Sequence, residues 1–499
     1  MLGGLSLRHR VLIATAATAL MGSFAHEPVK AADLGGDCCA DLEERIAELE
    51  ATTVRKGNKK VSVTLYGQVN RAALFWDDGA ETNVYVVDNN YESSRFGFKG
   101  SAKTGFGDWV GGYRLEVEPT GANSARLDQF DDNNADDSNG PLFVRHSFMY
   151  LSSKKYGEVR LGLTATPIYN ITKDTNVTEL EDTEHGDNRV MQSFFLRPEG
   201  FDSAEGLSKL RWQSISHCYS STNAFVCSTR RNGAAYWSPK WEGFSASVGW
   251  YEDDDWGAAI RYQNEWGENW EVGAGFGYED IRDERLQNGG GGEATGSNPP
   301  PSSAIDFFKR DIQEYGGSAS IKHKPTGLFG VTSFMWSDQN DSDTINAGFY
   351  TGTSAPLMNS WEVELGIQRE MPWFGLDKLG DTSFWGGYEE ILDGIGGASN
   401  GNGGTVSQIP ANRFLAAGTF ANVPVPTEIT GAKVTRWSLA LDQAIDAANM
   451  HLYAVYQHLT PEVDLVTRDP AVSPTGKLKS VGAPLDDFDL FYTGGRIYF

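Results

Sequence analysis

The stretch Trp361-Glu362-Val363-Glu364-Leu365-Gly366-Ile367-Gln368 alternates without a break. Apolar side chains hold the odd positions, and Glu362, Glu364 and Gln368 stand among the even ones. Successive side chains of a strand point to opposite faces, so period two means a strand with one apolar face and one charged face. A soluble sandwich also alternates, but repeated carboxylates in mid-strand favour a wall between an apolar medium and a wet lumen.

The same pattern recurs along the chain. Val61, Val63, Leu65, Gly67 and Val69 oppose Ser62, Thr64, Tyr66, Gln68 and Asn70. Phe96 and Phe98 oppose Arg95 and Lys99, and Tyr113, Leu115 and Val117 oppose Arg114, Glu116 and Glu118. Phe244 to Trp250 and Trp270 to Tyr278 repeat it. The segments between them fall into two sets. Short turns are read at 103–108, 153–157, 238–243, 267–269, 324–327, 372–380 and 444–449. Connections at 77–92, 120–141, 166–230, 281–309, 338–358, 392–432 and 460–485 are long, and only 252–255 in that set is short. The sets alternate strictly. Seven short and eight long connections predict sixteen strands in an up-and-down meander, with tight turns at one end and loops at the other. Leu207 to Gln213 also looks like a strand, but counting it would invert every later connection, so 207–217 is assigned to the third long loop. The chain closes on Phe491-Tyr492-Thr493-Gly494-Gly495-Arg496-Ile497-Tyr498-Phe499, an alternating strand expected to be tied into a closed sheet. Trp109, Tyr113, Trp237, Trp241, Trp250, Trp270, Tyr278, Trp361 and Tyr498 lie near strand ends or on the apolar face, and suit interfacial girdles.

Composition agrees. The 499 residues carry 42 Lys+Arg against 67 Asp+Glu, a net charge of −25, with 57 Gly and 12% aromatics. Such acidity argues against nucleic acid as a partner. No apolar run after residue 25 approaches the roughly 20 residues of a spanning helix. Residues 1–25 read as an export signal with a basic start at Arg8, His9 and Arg10, cleaved after Ala25 or as late as Ala31. In an oxidising compartment Cys218 and Cys227, which enclose eight residues of a polar loop, are expected to form a disulfide. Cys38 and Cys39 are adjacent and pair poorly with each other. Residues 33–56 hold a short amphipathic helix, with Leu42, Ile46 and Leu49 at helical spacing. It either docks on the body or pairs with copies of itself.

At Asp41 to Glu50 with Lys59-Lys60-Val61-Ser62-Val63, at Ser94-Arg95-Phe96-Gly97-Phe98-Lys99-Gly100, at Tyr236-Trp237-Ser238-Pro239 with Gly243 to Ser247, and at the terminal Phe499, the chain resembles the general porins of the alphaproteobacterial outer membrane. The resemblance implies a homotrimer of 16-stranded transmembrane barrels over 57–499, one water-filled pore per subunit, and a third loop, 166–230, folded inward. It also implies passage of small hydrophilic solutes, contact with outer-membrane lipid and lipopolysaccharide, and no cofactor. Phe499 resembles the signal read by the barrel assembly machinery.

Diffusion needs only a constriction with a field across it. The third loop carries Asp174, Glu179, Glu181, Asp182, Glu184 and Asp187, and inward parity nominates Arg95, Lys99, Arg114, Arg145 and Arg160 to face them. With the net charge, cation preference is expected. The acidic run 128–137 lacks the spacing of a calcium loop and reads as solvated rather than as a calcium site. A substrate-specific channel and a loop-based surface receptor or adhesin keep the same fold. His146, His185, His217, His323, His451 and His458 stand in no motif that supports an enzyme.

Overall fold

The computed structural model describes residues 61–119, 121–132, 142–178, 180, 191–200, 211–212, 215–216, 230–285, 309–338, 358–394, 427–467, 479–481 and 484–499. The expected export signal and N-terminal helix lie outside them. So do Cys218, Cys227 and the loop acids Glu179, Glu181, Asp182, Glu184 and Asp187.

The strands in order are β1 (Thr64–Asp77), β2 (Thr82–Asp88), β3 (Arg95–Lys103), β4 (Val110–Pro119), β5 (Leu142–Ser153), β6 (Gly157–Ala165), β7 (Arg230–Trp237), β8 (Phe244–Tyr251) and β9 (Trp256–Trp266). They continue as β10 (Trp270–Arg285), β11 (Lys309–His323), β12 (Leu328–Asp338), β13 (Met358–Glu370), β14 (Asp381–Leu392), β15 (Thr427–Ile445), β16 (Met450–Thr467), β17 (Lys479–Val481) and β18 (Phe488–Tyr498). One half of β1 pairs with β3, from Thr64↔Lys99 to Gln68↔Arg95, and the other with β2, from Arg71↔Asp88 to Asp77↔Thr82. β2 and β3 are therefore two pieces of one wall strand. β17 and β18 both lie against β16 in the same way. The wall has sixteen antiparallel positions and closes where β18 meets β1, from Gln68↔Tyr498 to Asp77↔Asp489. Closure leaves no sheet edge with unpaired backbone groups. The terminal residue is in the ladder too: Phe499 and Gly67 exchange both backbone hydrogen bonds at 3.0 Å. A side chain at Gly67 would meet the Phe499 ring at 2.5 Å.

The short turns stand where the alternation places them. The first long connection does not. The chain turns within Asp78–Glu81, where Asp78 accepts from the amides of Ala80 and Glu81 at 3.2 and 2.9 Å and so caps its own turn. It returns at once as β2, because Thr82 to Asp88 is itself a β-branched, alternating run. The irregular stretch is 89–94 instead. Asn89 accepts from the Tyr91 amide at 3.1 Å and starts a single 3-10 turn, Asn90–Glu92, whose Tyr91 and Glu92 are buried.

The outward face is apolar and exposed: Leu65, Val69, Phe98, Leu115, Met149, Leu161, Ile260, Phe276, Trp361, Val363, Leu365 and Leu439 all lie on it. Two residues proposed for the girdles do not. Trp237 pairs across the ladder with Glu158 and stacks on Arg160, and Tyr498 pairs with Gln68 and stacks on Arg496, so both face inward. The inner face also becomes apolar at the long-loop end. Leu74, Trp76 and Phe488 are buried against Met191, Phe194, Trp212 and Ile215 of the third long loop. Trp76 meets Phe194 at 5.3 Å and Trp212 meets Phe488 at 5.8 Å between ring centroids. The described part of 207–217 thus belongs to the loop and not to the wall.

Candidate pore constriction

After β6 the chain enters a short helix, α1 (Ile171–Thr175), seated on the inner faces of β10 and β11. Gly273, Gly275 and Gly277 make the seat. A Cβ at Gly273 would lie 1.9 Å from the Thr175 carbonyl oxygen, and one at Gly275 would lie 2.9 Å from Ile171. Opposite them, the Ser320 hydroxyl donates to the Thr175 carbonyl at 2.5 Å, and Thr175 Oγ1 meets Ser318 Oγ at 2.5 Å. Beyond the helix, Gln368 Nε2 of β13 donates to the Thr178 carbonyl at 2.7 Å. Small residues let the backbones approach closely, and hydroxyls satisfy the carbonyls that this approach buries.

Facing the seat is a ladder of arginines. Arg95 pairs with Glu92 and reaches Gln68 Oε1 at 3.4 Å. Arg114 donates to the Tyr66 hydroxyl at 2.8 Å and pairs with Glu116 at 2.6 Å, while Tyr66 donates to Glu116 at 2.9 Å. Arg145 donates to Glu116 at 3.0 Å and also pairs with Glu118. Arg160 donates to Glu158 at 2.6 Å, its guanidinium 3.9 Å from the Trp237 ring centroid. Lys99 lies over the Tyr66 ring at 5.1 Å. The structure therefore brings Arg95, Arg114 and Arg145 into one cluster with Glu92, Glu116 and Glu118 and sets Arg160 beside Glu158. None of these four guanidinium groups is a bare charge. Arg145 arrives through a bulge: Glu116 pairs with His146 and Val117 with Val144, so Arg145 is the extra residue of its strand.

Asp174 is the one loop acid of the expected set that is described. It accepts from Arg261 Nε of β9 at 2.9 Å. The acids opposite are wall residues outside the expected set. Glu362 and Glu364 of β13 and Glu389 of β14 surround Arg436 of β15, which lies 2.7 Å from Glu389 and 3.4 Å from Glu362. The opening alternation of Trp361 to Gln368 carried the signal for Glu362 and Glu364. All four are 1% exposed, and a buried guanidinium among carboxylates is held only when paired. Within the acidic run, Asp128 accepts from the Phe130 and Asp131 amides at 2.9 and 3.1 Å and pairs with Arg211 at 3.1 Å.

At the long-loop mouth, Arg197 pairs with Asp78 at 2.7 Å and Glu81 at 3.5 Å. Burial, reinforced by the Glu199 carboxylate, pushes the neighbouring Asp486 carboxyl up to about 6. A hydrogen bond with His458 holds Asp487 below the usual carboxylate range.

A closed sixteen-strand wall, apolar outside and charged within, narrowed by a loop seated on its inner face, defines an outer-membrane β-barrel channel. The chain belongs to the Gram-negative porin family, whose model matches residues 12–460. Among solved structures it is similar to the anion-selective porin from Comamonas acidovorans, at 16% identity over 88% of this chain and 100% of that one, with a TM-score of 0.50. It also matches the trimer form of OmpT from Vibrio cholerae, at 13% identity over 88% and 100% of the two chains, with a TM-score of 0.46. At such identity the likeness to the first is one of fold. Comparison with curated proteins gives no match.

Proposed function

We propose that the protein is a passive-diffusion porin for small hydrophilic solutes and ions, with a preference for cations. The observation that carries the reading is the lumen itself: its charged residues are on the inner face of a closed wall, and α1 narrows the space between them. Diffusion requires only such a wetted, charged constriction. The cation preference is supported by the pairing of Arg95, Arg114, Arg145 and Arg160 with carboxylates, by three acids around Arg436, and by the net charge of −25. Swelling of proteoliposomes in isosmotic sugars tests the diffusion reading. Rates should fall smoothly with solute size; saturation by one solute class would favour a substrate-specific channel.

The working unit is a homotrimer. Arg71 and Asp88 form an outward-facing pair, 3.6 Å apart, in mid-wall. A cation on a lipid-facing wall costs about 2–4 kcal/mol at the bilayer midplane. A neighbouring subunit covering this stretch removes that cost. Residues 1–25, or as far as 31, serve as the export signal.

A further inference from the structure

Two features of the lumen meet at one ion pair. The first is α1, whose Ile171 and Thr175 face β10 and are fully buried. Lys173 lies two residues from each, and so projects from the opposite side of the helix. The second is the 89–94 insertion between β2 and β3, which carries Glu92 inward. Glu92 is anchored to the wall there: its carbonyl accepts from Gln68 at 3.0 Å and from Asn70 at 2.9 Å, and Arg496 lies 3.9 Å from its carboxylate. Its carboxylate also pairs with Lys173. Round the sixteen-position wall, β10 is eight positions from β1 in either direction. The Lys173–Glu92 pair therefore joins segments held by diametrically opposite parts of the barrel.

We propose that Glu92 and Lys173 form a strut across the lumen, and that this pair fixes the free cross-section and sets the sign of the field that passing ions meet. The inference rests on the channel reading. The two ends are held independently, α1 by the glycine and serine seat and Glu92 by β1 and β18, so the pair is the joint between them. Glu92 is the shared acceptor of Arg95 and Lys173, with Arg496 beside it. Removing its charge leaves Arg95, Lys173 and Arg496 around a neutral side chain. Removing the Lys173 charge leaves the acid with one fewer partner. The two changes therefore push selectivity in opposite directions, whereas both release the strut.

The test uses the full-length protein in planar bilayers, with Glu92→Gln, Lys173→Met and the exchange Glu92→Lys/Lys173→Glu. Both single variants should raise single-channel conductance. Reversal potentials in a salt gradient should move toward anions for Glu92→Gln and toward cations for Lys173→Met. The exchange should bring conductance back toward the parent value. A merely structural role would move both reversal potentials together, and that result, or unchanged conductance in both single variants, overturns the proposal. A second arm does not depend on conduction. In Glu92→Cys/Lys173→Cys, made with Cys38, Cys39, Cys218 and Cys227 changed to Ser, a bifunctional thiol reagent whose spacer matches the combined reach of the two replaced side chains, longer than the roughly 4.4–6.8 Å between Cα atoms that a disulfide spans, should bridge 92 and 173, detectable by mass spectrometry. Absence of that cross-link in folded protein refutes the juxtaposition. Its presence in a protein that does not conduct would refute the channel reading instead.

Discussion

Replacing Gly273 by valine should unseat α1 while leaving the wall intact. The new Cβ would lie 1.9 Å from the Thr175 carbonyl oxygen, whereas ordinary contact begins at 3.4 Å, so the helix must retreat by about 1.5 Å. Such a retreat lengthens the 2.5 Å contacts from Ser320 to the Thr175 carbonyl and between Thr175 and Ser318 to about 4 Å, beyond hydrogen-bond reach. Two buried hydrogen bonds at about 1 kcal/mol each, with part of the Ile171 burial, put the loss at about 2–4 kcal/mol. The wall hydrogen bonds of Gly273 to β9 and β11 use its backbone and are retained. The helix is pushed toward the lumen centre, so single-channel conductance should fall and become noisier, and 166–230 should be cut faster by protease. Heat-dependent gel mobility should stay at the parent value. Ala274→Val, one residue along and on the outward face, is the control and should change neither readout. If Gly273→Val conducts like the parent, with 166–230 equally resistant to protease, the seat does not position the constriction.

Three further outcomes follow from the same geometry. Arg145→Met leaves Glu118 and Glu116 short of a buried partner and should cost about 3–5 kcal/mol, read as a lower temperature in the gel-mobility shift; an unchanged temperature would count against the ladder. Asp486 has its carboxyl raised to about 6 from its ordinary 3.8, so the native state holds more protons between those values and stability there falls as pH rises. The Asp486 amide, which donates to the Arg197 carbonyl at 2.9 Å, should be better protected from hydrogen exchange at pH 5 than at pH 7.5, after correction for intrinsic rates. Asp486→Asn should flatten that difference, and a difference of opposite sign would refute the assignment. Cys218 and Cys227 should resist maleimide until a reductant is added; labelling of untreated exported protein would exclude the disulfide.

The wall was legible because its physics is local. Trp361 to Gln368 already shows the two faces, and the alternation of short and long connections gives the strand number. What was missed depends on partners distant in sequence. Trp237 and Tyr498 were placed with the lipid-facing aromatics because a tryptophan or tyrosine near a strand end suits either face. Only the register against Glu158 and Gln68 turns them inward. Leu74 and Trp76 share the inner face with Gln68 and Asn70, and are apolar because Met191, Phe194, Trp212 and Ile215 pack on them. The arginines were found by parity, but their pairing was not, since Arg145 enters through a bulge and Glu92 lies in an insertion read as loop. The seat had a visible trace, glycines at 273, 275 and 277 on one face of β10, that gains meaning only once Thr175 is brought against it.

The central claim is a charged lumen that conducts ions. The measurement that tests it most directly is the reversal potential of single channels formed by the purified full-length protein in a planar bilayer under a potassium chloride gradient. The account predicts discrete conducting steps, with a reversal potential displaced toward the potassium equilibrium value. Displacement toward the chloride value would contradict the cation preference, and a bilayer containing folded protein that never conducts would contradict the channel itself.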